Sequence, residues 1–349
     1  MQQLLRTLIN RVRYLQQSIQ RYISPYFVRH RFLSACYYFF FDTSFWYEQQ
    51  AVLKGKCQYY KNNGMQNGSS SLLRRNIHRL EKGLIMQPRR NVFALDYIEE
   101  TINTYRQCEE VGSKIELSEL SWAADVLNEY FSVVDKSHPI IASALASFSV
   151  CRNLFIENKK IPYLECNKVK HSIEPEQLAM LFKARRSVRW YQQEKVPNEL
   201  ILAAVDMALQ APSACNRQPF EFLVVEPGDK LDALAILPGG TAGFADNIPC
   251  LIAIVGDLSC YPFERDRHVI YIDGSLVSMQ LMLAFETLGL SSCPINWPEL
   301  HRLDLRVSKL LEIPQHKRVV MFLSVGFAKI NGKIAFSDKK IASQVVVFK

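Results

Sequence analysis

The 349 residues predict a helical first half followed by a half in which short strands mix with helices. Three observations carry this. Before about residue 160 the apolar residues recur at helical spacing, and nothing in that stretch reads as a strand. Beyond residue 173 three strand-like runs appear, Phe220 to Val225, Cys250 to Val255 and Arg318 to Phe327. Charge divides at the same place: 19 basic and 19 acidic residues balance from residue 173 onward, so the formal excess of +8 lies wholly in residues 1–172. With 48% hydrophobic content each half can bury a core. The expected divisions are a helical region over 1–172, a polar linker over about 158–175 holding Pro162 and Pro175, and a second domain over 173–349.

The chain opens on a basic amphipathic pattern. Leu4, Leu8, Val12, Leu15, Ile19 and Ile23 share one helical face with Arg6, Arg13 and Arg21 opposite, and no acidic residue precedes Asp42. Such a helix suits an anionic membrane surface, and equally a partner subunit or its own domain. The aromatic cluster Tyr37 to Phe41, with Phe45, Trp46 and Tyr47, is far shorter than the roughly 20 apolar residues of a spanning helix. Arginines break the apolar core that a secretory signal needs. Residues 1–47 are therefore the expected contact with a membrane surface or a protein. Residues 61–71, rich in Asn, Gly and Ser, read as the clearest flexible loop. Leu72 to Met86 reads as a charged helix with a solvated face. Its arginines come with no recognised nucleic-acid module, so no nucleic-acid partner is expected. Further helices are expected at Ala94 to Glu110, Ser118 to Val134 and Pro139 to Glu157.

In the second half, Pro197 stands where a helix begins, and Leu200, Ile201, Ala204, Val205, Ala208 and Leu209 follow at helical spacing until Ala211-Pro212 ends it. Strand Phe220 to Val225 runs into a turn at Pro227-Gly228-Asp229. Tyr271 to Gly289 is apolar nearly all round and is expected to be buried on every side.

Two motifs flank the Pro197 helix. The first, Arg185-Arg186-Ser187-Val188-Arg189, offers three guanidinium groups and a hydroxyl that can grip a phosphate; the same arginines would also make a solvated helix end. The second, Ala211-Pro212-Ser213-Ala214-Cys215-Asn216-Arg217-Gln218-Pro219-Phe220, brackets short polar side chains between prolines. Its Asn and Gln carry the donor and acceptor pairs that could read a pyrimidine-like edge. Together, in this order, they resemble the cofactor-binding signatures of the FMN-dependent nitroreductase family. Leu288 to Asn296 and the terminal Ser324-Val325-Gly326-Phe327-Ala328 also resemble that family, and the resemblance spans about residues 173–349.

That resemblance implies an α+β fold, a mostly antiparallel sheet wrapped by helices, and a homodimer whose two flavin sites mix residues of both chains. It implies FMN held by Arg185, Arg186, Ser187 and Arg189, by Pro212, Ser213, Ala214, Asn216 and Gln218, by the backbone of Pro294, Ile295 and Asn296, and by Lys340 near the C-terminus. It also implies a hydride donor, NADH or NADPH, and a small organic acceptor such as a nitro compound or quinone. An oxidase acting on a delivered precursor and a non-turnover flavin scaffold of a membrane-associated assembly are the alternatives. The cofactor carries the chemistry, so no catalytic side chain is assigned. Cys215 reads as a small buried thiol. Asp257 to Ile270 leaves room only for a short lid, with Tyr261, Phe263, Arg265 and Arg267 as candidate pocket walls or an exposed loop. Nine cysteines without a C-x-x-C pair suggest neither a disulfide framework nor a metal site, and fit a cytoplasmic protein, peripheral at the inner membrane surface if the basic helix docks there.

Overall fold

The computed structural model describes residues 11, 19–66, 68–110, 115–148 and 159–349. Leu4 to Leu15 of the expected amphipathic helix, and the part of the Pro139 helix expected beyond residue 148, lie outside the described residues.

The helical half contains α1 (Arg31–Phe40), α2 (Trp46–Asn62), α3 (Ser71–Leu84), α4 (Ile98–Glu110), α5 (Leu117–Val133) and α6 (Pro139–Phe148). Helices α3 to α6 share one core, in which Ile77, Leu80, Ile98, Ile102, Leu127 and Tyr130 are buried. Between α2 and α3 the expected flexible loop is instead a tight hairpin, β1 (Met65–Gln66) against β2 (Ser69–Ser70). Asn63, Gly64 and Gly68 take the left-handed conformation that such turns require. Buried Glu119 of α5 pins it, accepting from the Ser70 amide at 2.8 Å and the Ser69 hydroxyl at 2.6 Å.

In the second half α7 (Pro175–Ala184) and α8 (Asn198–Ala208) precede a sheet built from β3 (Phe220–Val225), β4 (Leu251–Asp257), β5 (Ser291–Asn296) and β6 (Lys317–Gly326). Pro197 caps α8 rather than opening it. The order is β3-β4-β6-β5 and every neighbouring pair is antiparallel. Strand β4 is buried along its whole length because both faces are covered. Leu251, Ala253 and Val255 pack toward α9 (Asp229–Ala235) and α11 (His301–Leu311). Ile252 and Ile254 pack toward α8 and the long helix α10 (Val269–Thr287). The fold is thus α+β, an antiparallel sheet between helical layers.

Helix α10 departs from expectation. Val277, Leu281 and Phe285 are buried, yet Ile272, Leu276 and Met279, spaced four and three apart, stand 57%, 42% and 40% exposed. A single chain covers only one side of this apolar helix. The last residues also extend from the body, leaving Ile330, Phe336, Val347 and Phe348 exposed.

The two halves touch through α2. Ala51 packs with Leu258, Cys260, Tyr261 and Ile270. Gly55 lies so close to the segment after β4 that an added Cβ would meet Leu258 Cβ at 2.6 Å and its backbone at 2.8 Å. Tyr261 is therefore buried beneath the helical half and is neither a pocket wall nor part of an exposed loop, whereas Phe263 is exposed with Arg265 over its ring at 4.9 Å.

Candidate functional site

The first arginine motif is tied to the sheet by its backbone. Ser187 bridges Ser292 of β5, and the Val188 amide donates to the Ser292 carbonyl at 3.1 Å. Tyr191, buried, anchors the far side of the motif, its hydroxyl donating to the Val188 carbonyl at 2.7 Å and lying 2.8 Å from Ser324 Oγ. This packing explains Gly326: a Cβ there would meet Pro249 at 2.5 Å and the Tyr191 ring at 3.0 Å.

Arg185 ends α7 with its Nε buried and without a hydrogen-bond partner, and the Ser292 hydroxyl is likewise buried and unpartnered. An unsatisfied buried guanidinium nitrogen costs free energy unless an anion or water meets it. Burial raises the pKa of nearby Glu286 and of Cys293 above their ordinary values, with Arg185 opposing both shifts. Arg186 turns away to donate to the carbonyls of Ala335 and Phe336 in the C-terminal segment. Arg189 lies 5.8 Å from the Phe244 ring centroid and makes only a long 3.5 Å contact to the Ser187 carbonyl. On β5, Pro294 and Asn296 are exposed while Ile295 faces the core, as the two-residue period of a strand requires. Pro294 is tolerated because β5 is an edge strand.

The second motif is a loop held by two charged residues that the sequence does not point to. Asp273 of α10 accepts from the Ser213 hydroxyl at 2.7 Å and the Ala214 amide at 3.0 Å. Burial raises the Asp273 carboxyl above its ordinary value, and those two donors pull it back. From the other side Arg74 of α3 donates to the Asn216 carbonyl at 2.7 Å and to Gln218 Oε1 at 3.0 Å, with Glu119 as its counter-ion at 3.0 Å. Arg74 thus joins an inter-half clamp, not the solvated face expected of its helix. Gln218 is engaged at both ends of its amide, since its Nε2 also donates to the Leu209 carbonyl at 3.4 Å, so its side chain helps to hold the loop. Cys215, Asn216 and Gln218 all have positive φ, near 50°. Cys215 is half-exposed, not buried. Pro212 and Ala214 point outward from the same loop.

The register separates the two motifs. Ser187 sits beside Ser292 and Val325, level with Cys250 at the start of β4, while the second motif leads into Phe220, level with Gly256 at the end of β4. Six residue steps along β4, roughly 20 Å, separate the two levels. One chain therefore places the first motif and the segment at Ala335–Phe336 at one end of the sheet and the second motif at the other, while β5 runs from the first end toward the second, Asn296 lying level with Met321 and Ile254.

The nitroreductase family model matches residues 182–238 and 234–327. A protein of Methanothermobacter thermautotrophicus named for NADH dehydrogenase/NAD(P)H nitroreductase activity is 31% identical over 153 residues, 43% of this chain and 76% of that relative. The chain belongs to the nitroreductase family. That membership makes it an oxidoreductase. The family also reaches it through the iodotyrosine deiodinase of Thermotoga neapolitana, 27% identical over 42% of this chain and 86% of the relative. Among solved structures, an FMN-dependent nitroreductase from Clostridium difficile is 28% identical with a TM-score of 0.41, covering 48% of this chain and 96% of its own. Arg74, Asp273 and Ser292 are the residues around the nitroreductase motifs that sequence reasoning missed. Asp273 had one signal, a lone carboxylate in the apolar run of α10; Arg74 had none, being 142 residues from Asn216.

Proposed function

We propose that this nitroreductase binds FMN and passes hydride from NADH or NADPH to a small organic acceptor, working as a homodimer. The observation that carries the reading is the buried, unpartnered Nε of Arg185, two residues before Ser187, whose backbone bridges Ser292, a residue whose hydroxyl is likewise buried and unpartnered. This donor set fits a phosphate, whose oxygens would take charge-assisted hydrogen bonds from the guanidinium and hydroxyl groups. Arg189 and Lys340 add positive charge to the same end. FMN, when bound, supplies the redox chemistry, taking up hydride and delivering reducing equivalents. The chain's task is to bind, orient and exclude water. The exposed edge at Pro294 to Asn296 offers backbone groups along one side of the ring site. The second motif, held by Arg74 and Asp273, presents Pro212, Ser213, Ala214 and Asn216 from a second subunit, because its own first motif is a sheet's length away. The apolar stripe of α10 and the extended C-terminal segment support that two-fold pairing.

The test is an absorbance spectrum of the purified protein followed by anaerobic titration with NADH and NADPH, then with a quinone or nitro compound. Bound FMN that bleaches and is reoxidised is the expected result. R185A/S187A should lose contacts worth about 1.5–3 kcal/mol each and bind FMN about 100-fold more weakly or worse. Full flavin occupancy in that variant would overturn the phosphate assignment.

A further inference from the structure

We propose that residues 19–46 form a docking surface for an anionic lipid bilayer. Residues 19–27 are helical and fold against α1 around an internal aromatic cluster: the Phe27 ring lies 5.6 Å from Tyr37 and 5.4 Å from Phe41, and the Ser34 hydroxyl donates to the Phe27 carbonyl at 3.0 Å. Tyr37 is buried by this packing. The opposite side is the unusual one. Phe32, Phe39 and Phe40 recur on α1 at seven- and eight-residue spacing, which places them on one helical face, and they are 67%, 62% and 70% exposed. Trp46 continues this face, its ring 6.0 Å from Phe39, and Tyr22 and Tyr26 are exposed on the preceding helix at 73% and 54%. Six aromatic side chains held outward by a folded hairpin are a contact surface, not the scattered apolar exposure of an ordinary monomer.

Charge selects the occupant. The first 41 residues contain six arginines, no lysine and no carboxylate. Arg29 and Arg31 border the exposed face of α1, and Arg29 lies 5.7 Å over the Tyr26 ring, its stem beside an aromatic body and its head free. A second copy of residues 19–46 would bring Arg21, Arg29 and Arg31 against a single carboxylate, Asp42, which already accepts from the Ser44 amide and hydroxyl, so pairing with itself sets mostly like charge against like. An anionic headgroup layer answers both features at once: phosphates meet the guanidinium groups, and Trp, Tyr and Phe settle where one end of the ring is apolar and the other wet. At 10 residues α1 is too short to span, so the association is peripheral. Because Trp46 opens α2, and α2 packs through Ala51 and Gly55 on the nitroreductase half, the whole oxidoreductase would be carried to the bilayer.

The experiment is flotation of the full chain with vesicles of phosphatidylcholine alone or with about one-third phosphatidylglycerol. The expected result is binding to the anionic vesicles only, weakened about tenfold or more between ~0.1 and ~0.5 M salt as screening shortens the reach of the charges. Phe39→Ser with Phe40→Ser, and separately Arg29→Glu with Arg31→Glu, should each abolish flotation while circular dichroism and melting temperature stay those of the parent, since all four side chains are on the surface. Failure of the full chain to float with anionic vesicles overturns the proposal, as does equal binding to neutral ones. Flotation retained in both variants also overturns it, and so does a concentration-dependent self-association that the Phe variant removes, which would assign the face to a second copy.

Discussion

At the scale of single residues, the strain in the second motif loop is what Arg74 and Asp273 must hold. Three non-glycine residues at positive φ cost about 1 kcal/mol or more each, and they persist only because outside contacts over-determine them. Arg74→Lys keeps the charge facing Glu119 but cannot reach both the Asn216 carbonyl and Gln218. Its expected effect is about a tenfold weaker flavin affinity, roughly 1.4 kcal/mol, with folding intact, read by fluorescence titration. Arg74→Ala is harsher, leaving buried Glu119 unpaired at about 3–5 kcal/mol. Asp273 gives a pH signature. Its folded-state value lies above that of the unfolded chain, so on acidification the folded protein takes up the proton first. This group's contribution to stability therefore grows as pH falls through the folded value, and is at its lowest above it. Asp273→Asn should flatten that part of the profile in denaturant melts recorded across the acidic range. Neither residue was legible in the sequence as a loop clamp, because contacts across 142 and 60 residues leave no local pattern, whereas Arg185 and Ser187 announced themselves by clustering.

At the scale of elements, the strands were the most legible parts. Strand β3 has the predicted limits, and β4 and β6 differ only at their ends, since runs of β-branched and aromatic residues leave few alternatives. The hairpin of residues 65–70 was misread because Asn, Gly and Ser serve a tight turn and a flexible loop alike; what decides is the carboxylate of Glu119, supplied from another helix. The periodicity of α10 was equally ambiguous, since an apolar residue reads the same whether its neighbour is its own core or a second chain. Helix α2 carries a sharper test. Gly55→Ala puts a methyl group into Leu258, and the overlap should cost about 1–3 kcal/mol, lowering the melting temperature and loosening the contact between the halves. Limited proteolysis between them should then quicken, and an unchanged cleavage rate would mean that α2 moves aside without cost.

At the scale of the whole molecule, the proposed pairing of two motifs from different chains would make assembly and cofactor loading one event. Leu276→Glu with Met279→Glu places charges on the exposed stripe of α10. The expected outcome is a monomer by light scattering that also lacks flavin, although neither residue belongs to either motif; a colourless dimer or a yellow monomer would separate the two properties and refute the composite site. The junction between the halves has a consequence of another kind. Cys260 is buried there, its thiol 3.4 Å from Gln66 Oε1 of the hairpin, and burial pushes its pKa well above that of a free thiol. A thiol reagent reaches it only in molecules whose halves have parted, so labelling at Cys260 runs at the intrinsic rate multiplied by the open fraction. Oxidants sample the same fraction, and sulfur oxidation at this one position would accumulate as a chemical memory of how often the junction has opened.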